Sequence, residues 1–283
     1  MNRVRTCWGI YREPAHSPGR IDDDRAILER VGEALVARGF DVKLVSADAE
    51  FDTDFANIFA MCERGPILDR LRGAEKTGSI VVNSPDAIRN TYRHRVVELL
   101  ARHGVPVPAS QIVATDANKP QRSTSVWIKR YDFHATEPHD VMYAASKDGW
   151  LKALQGFARR GIPFVVAQEH VPGDLVKFYG VRNAMAPVDS NWFEWLYHSD
   201  KGMLGYTFEV LALRRAAFGA AAALGLEIFG GDAIVQADGK PVIVDINAWP
   251  SYARYRDRAA QAIADHLTER FQRRPRIVAA VGV

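Results

Sequence analysis

Residues 227–247 contain two apolar segments that flank the dipeptide Asp238–Gly239. This dipeptide is a strong signal for a two-residue turn, so the two segments are predicted to pair as a β-hairpin. Side chains alternate between the two faces of a strand, which places Asp245 and Asn247 on the same face. The turn brings Asp232, on the first strand, within about two residues of facing Asp245. The hairpin therefore gathers three oxygen-bearing side chains on an otherwise apolar strand pair.

These three side chains form a candidate metal site. Ionised carboxylates in apolar strands are costly unless a cation or a hydrogen-bond donor meets them. Two carboxylates and one amide oxygen suit Mg²⁺, with Mn²⁺ as an alternative, because hard divalent ions prefer oxygen ligands. The other interpretation is that they are strand-end residues that bond loop amides. The position of Asp232 opposite the second strand favours the metal, and the predicted ligands are Asp232, Asp245 and Asn247.

Composition and charge limit the classes of protein to which the chain can belong. The chain has 283 residues, of which 47% are hydrophobic and 25% charged, and such a chain can bury a large core without disulfides or zinc. Its two cysteines, Cys7 and Cys62, exclude a Cys-rich metal site and fit a reducing cytosol. The formal charge of +3 is spread along the chain, so no nucleic-acid partner is expected. No stretch is apolar enough for a membrane span or a signal peptide, which favours a cytoplasmic protein without a membrane partner.

The amino-terminal part alternates short apolar runs with a helical pattern. Strands are predicted at residues 4–11, 40–45 and 80–82, and a helix begins near Asp22 and ends at Gly39. This βαβ-like order is typical of an open, mostly parallel sheet. No Gly-rich sequence follows the first strand, so a dinucleotide site is not expected there. A linker helix is predicted from about residue 88 to 103.

Two lysines interrupt apolar strands in the middle of the chain. Lys129 lies in the predicted strand 126–130, and Lys177 lies in the predicted strand 175–181. A lysine in such a strand needs an anionic partner unless it faces outward. The partner could be a nucleotide phosphate or a carboxylate of an internal ion pair. Between them, an apolar strand ends in a polar segment, residues 168–174. Its backbone could hydrogen-bond the edge of a purine, and its final residue, Asp174, could accept a hydrogen bond from a ribose hydroxyl.

Together these pieces resemble the ATP-grasp superfamily over roughly residues 83–267. The resemblance implies a fold in which two α+β lobes clamp ATP, preceded by the open α/β subdomain. It implies that ATP contacts come from a strand lysine, a hinge, a ribose-binding acid and a basic residue on the next strand, followed by the metal ligands. The residues that match the ATP-contact positions are Lys129, Gln168, Glu169, Val171, Asp174 and Lys177.

The resemblance also implies domain boundaries and a further phosphate contact. The predicted domains are an N-terminal α/β domain at 1–83, a linker helix with the small lobe at 84–167, and the carboxyl-terminal lobe with the metal site at 168–283. Arg93 stands where the superfamily has its first phosphate-binding basic residue, and Arg95 is the alternative in a shifted register. The predicted catalytic residues are Lys129, Lys177, Arg93 and His139.

Two branches of the superfamily are similar to the chain. The second metal strand reads D-I-N-A-W-P-S-Y from Asp245, which looks like the D-I-N-x-F-P-G-Y of the inositol 1,3,4-trisphosphate 5/6-kinases. Glutathione-synthetase-like and RimK-like ligases usually have E-x-N there. Residues 129–140 resemble the kinases' lysine strand and H-G-T-x-x-H-E, in which the second histidine contacts substrate. Ser251 replaces that branch's glycine. The predicted substrate contacts are His139, Arg182, Ser251 and Arg254.

The expected function is therefore an ATP- and Mg²⁺-dependent transfer of the γ-phosphoryl group to a small-molecule acceptor. The motifs favour a kinase that acts on a hydroxyl of an inositol-phosphate-like or other polyol substrate. The alternative is a carboxylate–amine ligase that works through an acyl phosphate. A second alternative is an ATP-binding regulatory protein without turnover. The sequence leaves the acceptor's identity and the oligomeric state open.

Overall fold

The computed structural model describes residues 5–117, 125–198 and 202–273. Within these ranges the chain forms three four-stranded sheets and seven α-helices. One sheet is parallel and two are antiparallel, which confirms the predicted α/β class with α+β lobes. Val4, the first residue of the first predicted strand, lies outside the described residues. None of the helices in these ranges is long and apolar enough to cross a membrane.

The first sheet is parallel, with the strand order β2-β1-β3-β4. The sequence predicts three of its strands and misses β3, because this strand has four residues and all are buried, so that no alternation marks it. Helix α1 carries its buried residues at helical spacing, as predicted. The elements are β1 (Arg5–Ile10), α1 (Ile21–Val36), β2 (Phe40–Val45), β3 (Asn57–Ala60), α2 (Gly65–Lys76) and β4 (Ile80–Val82).

The second sheet is antiparallel, with the strand order β5-β8-β6-β7. In β6, burial alternates so that Val126 and Ile128 pack into the core and Lys129 lies on the opposite face. The side chain of Ser146 caps α5 by accepting from the amide of Gly149 at 3.1 Å. The elements are β5 (Ser110–Ala114), β6 (Val126–Arg130), β7 (Val141–Ala144), α5 (Lys147–Arg159) and β8 (Phe164–Glu169).

The third sheet is also antiparallel, with the strand order β10-β9-β11-β12. In β9, Val176 and Phe178 are buried in the core that includes α6, and the alternating Lys177 and Tyr179 lie on the other face. Helix α6 ends at Gly225 in the left-handed conformation. The elements are β9 (Asp174–Val181), β10 (Trp192–Tyr197), α6 (Val210–Leu224), β11 (Ile228–Val235) and β12 (Pro241–Ala248).

The predicted hairpin is β11–β12, but its turn differs from the prediction. Gln236 still pairs with Lys240, since its amide donates to the Lys240 carbonyl at 3.1 Å, so three residues rather than two form the loop. The Gly239 amide donates to the Gln236 carbonyl at 2.9 Å, and Gly239 has φ of 77°. This is the three-residue loop that ends in a left-handed glycine, and it uses Asp-Gly one position later than the two-residue turn would.

The predicted linker helix is two helices, α3 (Pro85–Asn90) and α4 (Arg93–Arg102). The break occurs because Tyr92 is extended, with φ of −63° and ψ of 131°, and serves as the N-cap of α4. Its phenol donates to the Glu63 carbonyl at 3.0 Å, which fixes the break against the end of β3. The break makes Arg93 the first residue of a helix and directs it into the interior, where it is buried.

The first and third sheets pack together through two apolar clusters, each of which contains residues of both sheets. Helix α7 (Arg256–Gln272) packs along α1, and residues of both, such as Ile27 and Ile263, bury against Trp249 at the end of β12. Asn83 joins the sheets, because its amide donates to the Ile228 carbonyl at 2.7 Å and its oxygen accepts from the Ile228 amide at 2.9 Å. The second sheet packs with α5 in a separate core within residues 113–167.

Candidate functional site

The three predicted metal ligands meet on one face of the β11–β12 hairpin. Asp232 lies directly opposite Asp245, and Asn247 lies two residues further along the same strand. A register shift next to Asp232 keeps this pairing despite the three-residue loop. The strands approach closely here, because a Cβ on Gly231 would lie 2.2 Å from the Asp245 carbonyl oxygen. All three side chains line the same cleft.

The charges of this face suit a divalent cation. Burial, and then the neighbouring Asp245, raise the pKa of Asp232. Burial acts in the same direction on Asp245, but Arg93 and Lys129 outweigh it and lower the pKa of that carboxyl. Asp232 Oδ1 lies 3.3 Å from Lys177 Nζ, and among the described residues this buried oxygen has no partner with hydrogen-bond geometry. A buried carboxylate oxygen that has a lysine ion pair at 3.3 Å but no well-formed hydrogen bond, beside a second carboxylate, fits Mg²⁺.

Lys129 bridges the second and third sheets. Its ammonium donates to Gln168 Oε1 at 2.7 Å and to the carbonyl of Val244 in β12 at 3.1 Å. Burial lowers the pKa of Lys129 to about 8, although Asp245 partly offsets this effect. A buried ammonium that bonds only neutral oxygens gains from an anion placed beside it. The geometry thus places the first predicted lysine between the lobes, next to the metal face.

Of the two candidate arginines, Arg93 is directed toward the site. It is buried, donates to the Arg130 carbonyl at 3.3 Å and interacts electrostatically with Asp245. Burial lowers its pKa. Arg95 is exposed on α4 and donates to Asn90 Oδ1 at 3.1 Å. The helix break favours Arg93 as the phosphate contact, because it starts α4 at the buried residue.

The hinge segment lies where predicted, but Asp174 does not have the predicted role. Gln168 and Glu169 end β8, the Glu169 amide donates to the Ala109 carbonyl at 2.8 Å, and Val171 follows in the partly buried connection to β9. Asp174 is fully buried, and its carboxylate accepts from the backbone amides of residues 204 and 206. Both oxygens are thereby used to hold the 204–206 segment. The predicted contact with a ribose hydroxyl is therefore not supported.

The predicted substrate contacts separate into one residue inside the cleft and three outside it. The cleft has a volume of about 360 Å³, and Ser251 lines it beside Asn247. Ser251 lies between Trp249 and Tyr252, whose φ angles of 44° and 50° turn the chain sharply after β12. Their buried rings hold this turn, which is costly for residues other than glycine.

The three outside residues are displaced for identifiable reasons. His139 is exposed, because Asp140 is buried against Arg130 and directs the short turn 138–140 outward. Arg182 follows β9 five residues beyond Lys177, about 16 Å along a strand. Arg254 is exposed and lines a separate surface groove. None of the three is among the described residues that line the cleft.

The other wall of the cleft contains a charged network that the sequence did not reveal. Arg12, after β1, pairs with Asp24 at 3.0 Å and with Glu63, after β3, at 3.2 Å. Its guanidinium also donates to the carbonyls of residues 248 and 249, at 3.1 and 2.8 Å. His16 and His134 approach Glu63 from the other side. The carboxyl ends of adjacent parallel strands meet at one edge, so recognising β3 would have brought Arg12 and Glu63 together.

Comparisons with known proteins identify the fold. No family model matches the sequence, and the search of curated proteins gave no significant match. D-alanyl-alanine synthetase A from Vibrio cholerae matches with a TM-score of 0.71 and 10% identity, over 95% of this chain and 99% of that one. A RimK domain ATP-grasp protein from Sphaerobacter thermophilus matches with a TM-score of 0.66 and 18% identity, over 92% and 99%.

A third solved structure, D-cycloserine synthetase DcsG, matches with a TM-score of 0.63 and 16% identity, over 93% of this chain and 99% of that one. Identities this low show the fold alone. The similarity covers all three sheets, including the amino-terminal one. The chain therefore has the ATP-grasp fold, as the sequence resemblance implied.

Proposed function

We propose that this chain is an ATP-dependent carboxylate–amine ligase that works through an acyl phosphate. Two of the three similar structures are synthetases by name, and the third is a RimK domain protein. This favours the ligase alternative over the kinase to which the motifs at Asp245 and Lys129 pointed. The proposal keeps ATP and Mg²⁺ as the expected cofactors and a small molecule as the expected acceptor.

The charge balance of the cleft is the observation that carries the proposal. Its described lining contains the cations Arg12, Arg20 and Lys177, but also the carboxylates Asp24 and Glu63 in addition to the two predicted metal ligands. Because Asp24 and Glu63 both pair with Arg12, little free positive charge is left for an acceptor with several phosphates. A small acceptor with one carboxylate fits this balance better.

The proposed reaction has two chemical steps. The acceptor carboxylate attacks the γ-phosphorus of ATP and ADP leaves. An amine then attacks the acyl carbon and inorganic phosphate leaves. Lys129, Lys177 and Arg93 would position the phosphates and offset their charge, so that catalysis is mainly electrostatic. Mg²⁺ held by Asp232, Asp245 and Asn247 would supply positive charge to phosphate oxygens.

Product stoichiometry tests the proposal. ADP and inorganic phosphate are measured while the protein is screened against pairs of amino acids or short peptides and, separately, against inositol phosphates. A ligase releases both products in equal amounts, and hydroxylamine traps the acyl phosphate as a hydroxamate. A kinase releases ADP without inorganic phosphate, and that result would refute the proposal. A protein that binds ATP but turns over none of the acceptors would support the regulatory alternative.

A matched pair of variants connects any turnover to the site. Asp245→Asn removes one charge from the metal face and should lower kcat by about 10²–10³-fold, as the loss of one electrostatic contact does elsewhere. Asp257→Asn changes an exposed carboxylate at the start of α7 and should leave kcat unchanged. Circular dichroism and a cooperative melting transition show whether both variants are folded. Full activity of Asp245→Asn would contradict the metal assignment.

A further inference from the structure

Three potential metal ligands converge on the cleft wall opposite the β11–β12 hairpin. His16 ends a short 3₁₀ turn after β1, Glu63 follows β3, and His134 follows β6. Glu63 Oε2 lies 2.9 Å from His134 Nδ1 and 3.7 Å from His16 Nδ1. One donor atom from each residue lies within 4.8 Å of the other two, and the residues are buried or partly buried. Three separate segments of the chain therefore present nitrogen and oxygen ligands to one point.

The hydrogen positions at this cluster require a positive centre. His134 Nε2 lies 3.0 Å from the carbonyl oxygen of His16, which can only accept, so Nε2 carries a hydrogen. Nδ1 of the same ring faces the Glu63 carboxylate, which also only accepts when ionised. Either a second proton or a metal ion must lie between them. Arg12 Nε lies 3.2 Å from the other oxygen of Glu63, and this ion pair keeps the carboxylate an acceptor, so Glu63 does not supply the proton.

His16 distinguishes the two possibilities. Its Nδ1 is buried, and among the described residues it has no hydrogen-bond partner. A proton on His134 joins only one pair of atoms and leaves His16 Nδ1 unsatisfied, whereas a metal ion contacts all three. A buried polar atom without a partner needs an explanation, and at a point where two other donor atoms converge a bound ion provides one. We propose that His16, Glu63 and His134 form a second metal site, distinct from the Asp232–Asp245–Asn247 site, that binds a transition-metal ion of the Zn²⁺ class.

The donor set selects the type of ion. Two imidazole nitrogens and one carboxylate oxygen suit Zn²⁺, Co²⁺ or Ni²⁺, whereas Mg²⁺ prefers oxygen ligands alone. Tetrahedral bonds of about 2.0–2.1 Å place neighbouring ligand atoms about 3.4 Å apart, between the two observed contacts with Glu63. Two of the proposed ligands are also oriented by contacts on the side away from the ion. The His16 carbonyl orients the ring of His134, and Arg12 contacts the other oxygen of Glu63 at 3.2 Å.

The charge and the open side of the cluster are consistent with an ion there. Arg12 is paired with Asp24, so with Glu63 the group has a formal charge of −1, which a cation offsets. The three ligands line the cleft, so that a fourth position would face its interior. Three protein ligands with an open fourth position are typical of zinc sites that contact substrate. This inference goes beyond the proposed ligase and does not depend on it.

Co²⁺ titration of the full chain, freed of any tag and treated with EDTA, tests the site. The visible absorption of Co²⁺ with nitrogen ligands is expected to saturate at one equivalent and to be displaced by Zn²⁺. His134→Asn and His16→Asn should each weaken this binding by about 100-fold or more, at least the effect of losing a supporting residue. His139→Asn, an exposed histidine of the same loop, should bind as the wild type does.

Asp245→Asn separates this site from the predicted Mg²⁺ site and should retain the Co²⁺ spectrum. If His134→Asn does not fold, as judged by circular dichroism, His16→Asn provides the same test. No nitrogen-ligand absorption in the wild type would overturn the proposal, as would a spectrum that both histidine variants leave unchanged. Loss of the spectrum in Asp245→Asn would also overturn it, because the ion would then lie at the hairpin. Each of these results is independent of ligase turnover.

Discussion

Replacing Lys129 by methionine should abolish a specific pH dependence of stability. The ammonium bonds two neutral oxygens, those of Gln168 and Val244, and burial lowers its pKa from 10.5 to about 8. Below pH 8 both the folded and the unfolded chain bind this proton, and the folded state carries the full cost of the buried charge. Between pH 8 and 10.5 the unfolded chain binds more protons, so the stability rises with pH.

The two pKa values set the size of the effect. The difference between 10.5 and about 8 corresponds to about 3 kcal/mol of destabilisation at neutral pH. Most of this, about 2–3 kcal/mol, should be recovered between pH 7 and pH 10. Lys129→Met has no such group. The free energy of unfolding of the wild type should therefore rise by about 2–3 kcal/mol relative to this variant over the same interval.

Urea unfolding in EDTA, at several pH values from 7 to 10, measures this difference. Other groups titrate in the same range, but they cancel when the wild type and Lys129→Met are subtracted. Lys152→Met, on the exposed side of α5, is the matched control and should follow the wild type. In a parallel series without EDTA, a non-hydrolysable ATP analogue with Mg²⁺ should reduce the rise in stability, because phosphate favours the charged lysine. Parallel pH profiles for the wild type and Lys129→Met would refute this reasoning.

Three further predictions concern packing and charge. Gly231→Ala should lower the free energy of unfolding, measured in urea, by about 1–3 kcal/mol, because the added Cβ would lie 2.2 Å from a carbonyl oxygen. Gly219→Ala is the control: this residue lies in open space on α6, so the substitution should raise the free energy of unfolding by about 0.4–1 kcal/mol. Asp174→Asn should lower the free energy of unfolding by about 2 kcal/mol, because it weakens the hydrogen bonds to the 204–206 segment. The ratio of the KM values for ATP and 2′-deoxy-ATP should stay unchanged, and a changed ratio would instead support the predicted contact with a ribose hydroxyl. In EDTA, the His134 ion pair with Glu63 raises the pKa of His134, so its stabilisation is complete below pH 6.5 and disappears as the pH rises through the raised pKa. A pH titration of unfolding should show this loss in the wild type and not in Glu63→Gln.

The sequence predicted those parts of the fold whose signals are local. Alternation and a turn dipeptide defined the β11–β12 hairpin, and helical spacing with a terminal glycine defined α1. Strand β3 was missed, because a short, fully buried strand has no alternation to recognise. The break at Tyr92 was also missed, since the contact that fixes it, with the Glu63 carbonyl, joins residues 29 positions apart.

The same distinction explains the site. Asp232, Asp245 and Asn247 could be predicted because one hairpin positions all three. The structural role of Asp174 could not be predicted, because the amides that bond its carboxylate come from residues 204 and 206, which no local pattern connects to it. His139 was preferred to His134 from motif similarity, whereas burial of the neighbouring Asp140 determines which of the two histidines faces the cleft.

The contacts of Arg12 with the chain after β12 have a mechanical consequence. This arginine fastens the end of β1 to the carbonyls of residues 248 and 249, and Asn83 fastens the end of β4 to β11. We therefore expect the first and third sheets to move as one body. If the proposed ligase opens to admit ATP, we expect the second sheet, which has its own apolar core, to move, and the hydrogen bond from Lys129 to the Val244 carbonyl would then break.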